Sequence, residues 1–213
     1  MTSPRQPTGR RRLPTGERRA QLVDIASRLF RERGYHHVGM RDIADAADIK
    51  SASLYHHFRS KTDLLQAIVE SVSEDLIASQ EPFARAARDE GRSGGELLAA
   101  LLRRQIVYLC EHADALWVAD REINSLPSEV IAKVQRSRRR YQRTIAALIA
   151  DGVRTGELRS SAPDLVAFAA LDMVNGLSRW YRPERGRSLE NVADGYVALI
   201  IKDLLGGRLE PGG

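Results

Sequence analysis

The sequence predicts an all-α protein of about nine helices, and three observations carry that prediction. Apolar residues recur at spacings of three and four from residue 16 almost to the C-terminus, the period of one helix face. Period-two alternation between turn residues, which would mark half-buried strands, is missing throughout. The 213 residues are 43% hydrophobic, enough to bury a core in one large domain or two small ones.

The elements follow in order. Residues 1–14 hold three Pro and an Arg run with little apolar content, and read as a disordered, Arg-rich arm. Leu22, Ile25, Ala26, Leu29 and Phe30 share one face of a first helix over about 16–33, with Thr15 offered as its N-cap and Gly34 as its C-cap. Met40, Ile43, Ala44 and Ala47 make a short second helix, Asp48-Ile49-Lys50 a tight turn, and Ser51 the cap of a third helix that carries Leu54 and Phe58. Ser60-Lys61-Thr62-Asp63 has the form of a capping box and starts a fourth, longer helix. Past the glycine-rich break at Gly91-Arg92-Ser93-Gly94-Gly95, further helices are expected at about 95–111, 113–124, 127–154, 163–182 and 189–206.

The net charge of +5 is unevenly placed. Residues 1–19 hold six Arg and one Glu, whereas residues 63–213 are nearly neutral. Such asymmetry suggests a polyanion-binding end on a body with another task, the plainer reading being a solvated tail. No apolar run approaches the roughly 18 residues of a membrane span, and no signal-peptide core follows Arg10, Arg11 and Arg12. A soluble, cytoplasmic protein is expected. The single Cys110 fits a reducing compartment and excludes an intramolecular disulfide or a cysteine metal site.

Two short helices joined by a three-residue turn and backed by an amphipathic first helix have the form of a helix-turn-helix. In such a unit the second short helix fits the major groove of DNA while neighbouring helix ends and basic side chains hold phosphates. The residues sharpen this. Gly34-Tyr35, Met40-Arg41-Asp42-Ile43-Ala44, Ser51-Ala52-Ser53-Leu54-Tyr55-His56-His57-Phe58, Ser60-Lys61 and Asp63-Leu64-Leu65 together resemble the DNA-binding domain of the TetR family of bacterial transcriptional repressors, over roughly residues 16–66.

The resemblance implies a homodimer that binds a palindromic double-stranded DNA operator and releases it when a small molecule enters the C-terminal domain. It divides the chain into the arm (1–14), a helix-turn-helix domain (15–62) and a ligand-binding and dimerisation domain (63–213), whose last two long helices would form the dimer's four-helix bundle. Arg41, near the start of the second helix, can reach a guanine edge or a phosphate. Lys50, Ser51 and Ser53 lie at the N-terminal end of the recognition helix, where side chains meet base edges. Tyr55, His56 and Lys61 are assigned to phosphates, Lys61 at a helix N-terminus whose amides favour an anion. Leu54 and Phe58, four apart, should anchor the recognition helix to Ile25, Leu29 and Ile43.

Two positions depart from the family pattern. Gly39 stands where many members have a Ser or Thr N-cap, a change expected to cost a few tenths of a kcal/mol. Asp48 stands at a turn position where the family often has Gly, and Asp tolerates a left-handed backbone better than most residues. No metal site is expected: adjacent residues on a helix diverge by about 100°, so His56 and His57 point apart, His36 and His37 lie in a loop, and His112 has no evident co-ligand. No enzyme is expected either, since neither a G-x-S-x-G elbow, a Walker A motif nor an H-E-x-x-H motif occurs. No cofactor is implied.

The body offers candidates for an effector site. On the helix over 127–154, Arg136, Arg139, Arg140 and Arg143 form one stripe, read as a solvated face, opposite Val130, Val134, Tyr141, Ile145, Leu148 and Ile149. Arg138 falls among the apolar residues, where its charge needs a carboxylate, a ligand anion or freedom to snorkel. The helix over 163–182 is apolar nearly all round, and so is expected to be buried on several sides. Its Asp172, Asn175 and Arg179 draw a thin polar line. The segment Arg179-Trp180-Tyr181-Arg182-Pro183 resembles one in TetR-type regulators of lipid and steroid catabolism that respond to acyl-CoA thioesters. The effector-site candidates are therefore Trp117, Arg138, Tyr141, Leu171, Asn175 and Arg179. The effector implied is an acyl-CoA or a similarly amphipathic acid; the alternatives are a multidrug-efflux regulator responding to lipophilic cations, and an architectural DNA-binding protein.

Overall fold

The computed structural model describes residues 15–181 and 186–208, so the arm and part of the Arg179-to-Pro183 segment lie outside the described residues. Among the described residues the chain is helical with no strand. Helix α1 (Thr15–Arg33) leads through a 3-10 turn to α2 (Met40–Ala46) and α3 (Ser51–His57). Thr15 is already inside α1, so it is not the cap the sequence offered. Gly34, with φ 85°, stops the helix as expected, its N–H donating to the Phe30 carbonyl.

The helix-turn-helix is held by an apolar cluster in which Leu22, Ala26, Phe30, Ile43, Leu54 and Phe58 are fully buried. Its turn is a Schellman motif: Asp48 N–H donates to the Asp45 carbonyl and Ile49 N–H to the Ala44 carbonyl. Asp48 occupies the left-handed position, φ 51°, and is the one non-glycine with positive φ among the described residues. At the start of α2 the Asp42 carboxylate accepts the Gly39 N–H at 2.7 Å. This is the half of a capping box that a glycine N-cap can still make, the N–H of Asp42 having no side-chain cap.

Helix α4 (Lys61–Glu70) is capped by Ser60, whose Oγ accepts the Asp63 N–H. It runs without interruption through a π turn (Ser71–Asp75) into α5 (Leu76–Asp89). Next come α6 (Gly94–Glu111), α7 (Ala113–Glu122) and α8 (Ser128–Thr155). The glycine-rich break is shorter than it looks in the sequence. A true capping box between Ser93 and Glu96 starts α6 at Gly94, and a side chain there would crowd the Leu148 carbonyl of α8.

The helix expected over 163–182 divides at Gly176 into α9 (Pro163–Asn175) and α10 (Leu177–Trp180), while the last helix, α11 (Leu189–Ala198), ends in a π turn (Leu199–Leu204). Nor is the former buried on several sides. Ala167, Ala170, Val174 and Leu177 face the core, but Leu165 is 65% and Phe168 52% exposed. Among the described residues of a single chain, no further helix covers that outer face.

The α1 helix packs on α7, and α4 packs on α1, α7 and α8, so the head is docked on the body by its first and fourth helices. Asp48→Val should lower the unfolding free energy by about 1–2 kcal/mol, because a β-branched residue strains the left-handed position, whereas Asp48→Gly should hold or gain up to about 1 kcal/mol. Urea denaturation checks both, and equal stability of the Val variant would contradict the turn geometry.

Candidate DNA-binding surface and effector cavity

The surface that the helix-turn-helix presents is built from short polar side chains flanked by longer ones. Arg41, Lys50, Tyr55 and His56 are exposed and Ser51 and Ser53 half-buried, on or immediately before α2 and α3. Tyr55 is 51% exposed, although Leu54 just before it and Phe58 at the end of α3 are fully buried. An aromatic held out from a rigid backing in this way is available to a phosphate or sugar. Two residues that the sequence reading passed over shape the same surface. Arg18 donates to the Ala47 carbonyl at 3.3 Å, tying α1 to the turn, and the Arg19 guanidinium lies 4.8 Å over the Phe58 ring.

Lys61 is placed differently from a phosphate ligand. Its Nζ donates to the carbonyls of Tyr35 and Val38, both at 3.0 Å, with that of His36 at 3.5 Å, and lies 4.6 Å over the Tyr35 ring. Those carbonyls are the open end of the 3-10 turn, and the ammonium is their counter-charge. In this position it locks the start of α4 to the end of α1.

The second feature is a cavity of about 210 Å³ in the body, between the π turn, α6, α7, α8 and α9. Four of the six effector-site candidates line it: Arg138, Tyr141, Leu171 and Asn175. Trp117 does not. It lies between the guanidiniums of Arg31, at 5.7 Å, and Arg121, at 4.6 Å, at the seam between α1 and α7, where Arg31 also pairs with Asp114 at 2.7 Å. Arg179 stays outside the lining too, exposed on α10, though close enough for its charge to act on Asp120.

Arg138 answers the question its position raised by staying exposed at the edge of the cavity: it donates to Ser73 Oγ at 3.4 Å, and its charge favours the ionised form of Asp120. The Asp120 carboxyl is nonetheless raised above the ordinary carboxylate range, first by the protein atoms crowding it, with Asp172 adding repulsion. It keeps accessible surface because it faces the cavity.

The π turn forms one wall, through Val72 and Ser73, and is pinned from two helices. The Tyr108 hydroxyl of α6 donates to the Ser71 carbonyl at 2.6 Å; burial, then the charges of Asp75 and Asp24, pushes this phenol up to about 12, so it remains a donor. From α8, Lys133 pairs with Glu74 at 2.7 Å and Glu70 at 3.4 Å. The sequence reading missed Gln105, which lines the cavity while 3% exposed. Its signal was present: a polar residue in the stripe Leu98, Leu101, Leu102, Ile106, Leu109. Among the described residues no group of acidic, His and Cys side chains could hold a metal, and no helix is long and apolar enough to cross a membrane.

Comparison with known proteins covers both parts. Residues 22–68 match the family model of bacterial regulatory proteins of the tetR family, and residues 91–204 match a tetracyclin repressor-like C-terminal domain. The HTH-type transcriptional repressor KstR2 of Rhodococcus jostii is 30% identical over 189 residues, 88% of this chain and 91% of that protein. The TetR family regulator PfmR from Thermus thermophilus superposes with a TM-score of 0.75 at 29% identity, covering 89% of this chain and 100% of that one. AibR in complex with isovaleryl coenzyme A and operator DNA does so with a TM-score of 0.68 at 26% identity, covering 86% and 98%.

Lys61→Met should remove the counter-charge of three carbonyls and lower stability by about 1–2 kcal/mol. Tyr55→Ala, on the exposed face, should stay within about 0.5 kcal/mol of the unmodified chain. Thermal denaturation separates the two, and an unchanged midpoint for Lys61→Met would mean that its ammonium is not structural.

Proposed function

Since the chain belongs to the TetR family of transcriptional regulators, we propose that it is a homodimeric repressor whose helix-turn-helix, residues 15–62, reads a palindromic operator. We further propose that its body, residues 63–213, answers to an acyl-CoA or a similar amphipathic acid. The observation that carries this reading is the shared rod. Helix α4 backs the recognition unit through Lys61 and its packing on α1, and its π turn is a wall of the effector cavity. A ligand that shifts the π turn therefore moves the support of the recognition helix.

Base reading is assigned to Arg41, Lys50, Ser51 and Ser53, and phosphate contact to Tyr55 and His56, with Lys61 acting by holding α4 in place. The dimer follows from the exposed apolar faces of α9 and of the α11 continuation, where Leu165, Phe168, Leu199 and Leu204 stand 42–65% exposed in one chain. Apolar area of that kind is normally covered by a partner.

Two features support an acidic, thioester-type effector. Arg138 and Arg139 line the cavity, and Arg139 belongs at the same time to the surface stripe with Arg136, Arg140 and Arg143, so cationic groups lead from the cavity to the outside. The KstR2 repressor and the isovaleryl-CoA complex of AibR are relatives of the same architecture. A second reading, release by lipophilic cations, draws on Asp120 and Asp172, which also line the cavity.

Operator fragments selected from random DNA, followed by fluorescence anisotropy, test the whole reading. Binding to one palindrome should weaken when butanoyl-CoA or longer thioesters are added and stay unchanged with tetraphenylphosphonium. Release by the cation alone would favour the second reading. Arg41→Ala should reduce specific binding more than binding to random DNA, since a good base contact is worth about 1–3 kcal/mol of discrimination; equal loss of both would contradict its role.

A further inference from the structure

We propose that the buried end of the effector carries a hydroxyl group, held between the Tyr141 phenol and the Gln105 carboxamide; the inference rests on the reading above that this cavity takes the acyl part of the ligand. Both side chains line the cavity, and both are more than nine-tenths buried, at 7% and 3% exposure. The Tyr141 hydroxyl and Gln105 Oε1 nevertheless have no hydrogen-bond partner among the described residues. A buried polar atom left unpaired costs about 1–3 kcal/mol, and native structures leave few of them. One such atom comes from α6 and the other from α8, both helices bordering the same cavity, so a polar group reaching them there would be selected for.

The chemistry of the pair selects that group. A phenol donates and a carboxamide oxygen accepts, so a hydroxyl satisfies both at once. A ketone would satisfy the phenol alone, and a hydrocarbon neither. A carboxylate would bring a negative charge up to Gln105 Oε1 and Asp120, while an ammonium would leave the phenol proton without an acceptor. Burial raises the Tyr141 phenol, so it keeps that proton. The remaining walls, including Val72, Leu76, Ile77 and Leu116, are apolar and suit a carbon chain. At about 210 Å³ the cavity is smaller than the roughly 300–1,000 Å³ of pockets for drug-sized ligands, which favours a short one.

Isothermal titration of the full chain with butanoyl-, acetoacetyl-, 3-hydroxybutanoyl- and 4-hydroxybutanoyl-CoA tests this. One of the two hydroxy thioesters should bind about tenfold or more tighter than butanoyl-CoA, with acetoacetyl-CoA between them. Tyr141→Phe, which keeps the ring, should bring that ratio below about threefold, and Gln105→Leu should do the same, with the melting transition confirming that each variant is folded. If Gln105→Leu does not fold, Tyr141→Phe decides alone. Equal binding of butanoyl-CoA and both hydroxy thioesters, or a preference that survives the substitutions, overturns the proposal while leaving the acyl-thioester reading intact. Binding of none of the four contradicts that reading and this one with it.

Discussion

A helix that must back the helix-turn-helix and wall the cavity at once constrains everything else in the molecule. The rod from Lys61 to Asp89 closes the helix-turn-helix at its N-terminus and walls the cavity at its middle. An uninterrupted α-helix would present the same stripe to both. The π turn at Ser71–Asp75 inserts a shift in phase along the rod; Leu64, Leu65 and Ile68 before it are fully buried, and Val72, Leu76 and Ile77, in the same buried cluster, also line the cavity. That shift leaves backbone groups to satisfy, and the Tyr108 hydroxyl takes up the Ser71 carbonyl. The half-buried phenol and the Lys133 pairs with Glu70 and Glu74 thus hold the rod in one of its possible phases.

The charge distribution divides the labour in the same way. The surplus sits in the first nineteen residues, and the described head presents only a few placed cations, Arg41 and Lys50 among them. On the proposed function, sequence choice would depend on geometry at a small number of side chains, and an Arg-rich arm would add salt-dependent attraction of a largely nonspecific kind. Geometry of that sort is sensitive to small displacements. On the proposed function, a movement of α4 would be transmitted through Lys61 to the carbonyls after α1 and so to the seating of α3.

How much of this was legible in the sequence depended on how local the determinants were. The helical stretches, the Gly34 stop and the left-handed Asp48 follow from periodicity and from backbone chemistry within a few residues. The place of Arg138 among apolar residues could be read as a need for a carboxylate, a ligand anion or freedom to snorkel, but not that Ser73 would accept from it or that its charge would act on Asp120, because both come from other elements. Trp117, offered as an effector-site residue, lies outside the cavity lining, beside the Arg31 and Arg121 guanidiniums at the seam between head and body. Lys61 belongs to a motif that suggests phosphate contact, and only the fold shows that three carbonyls surround its ammonium. The π turn left no signal, since it replaces one helical register by another without a breaker residue.

On the proposed function, effector and operator act on one rod. Hydrogen–deuterium exchange over residues 61–77, read by mass spectrometry with selected operator DNA and separately with a bound acyl-CoA thioester, tests it most directly. Both ligands should change protection in this segment, and the thioester's effect should extend from the π turn back to Lys61. Changes confined to α8 and α9 on thioester binding, with residues 61–70 untouched, would contradict it.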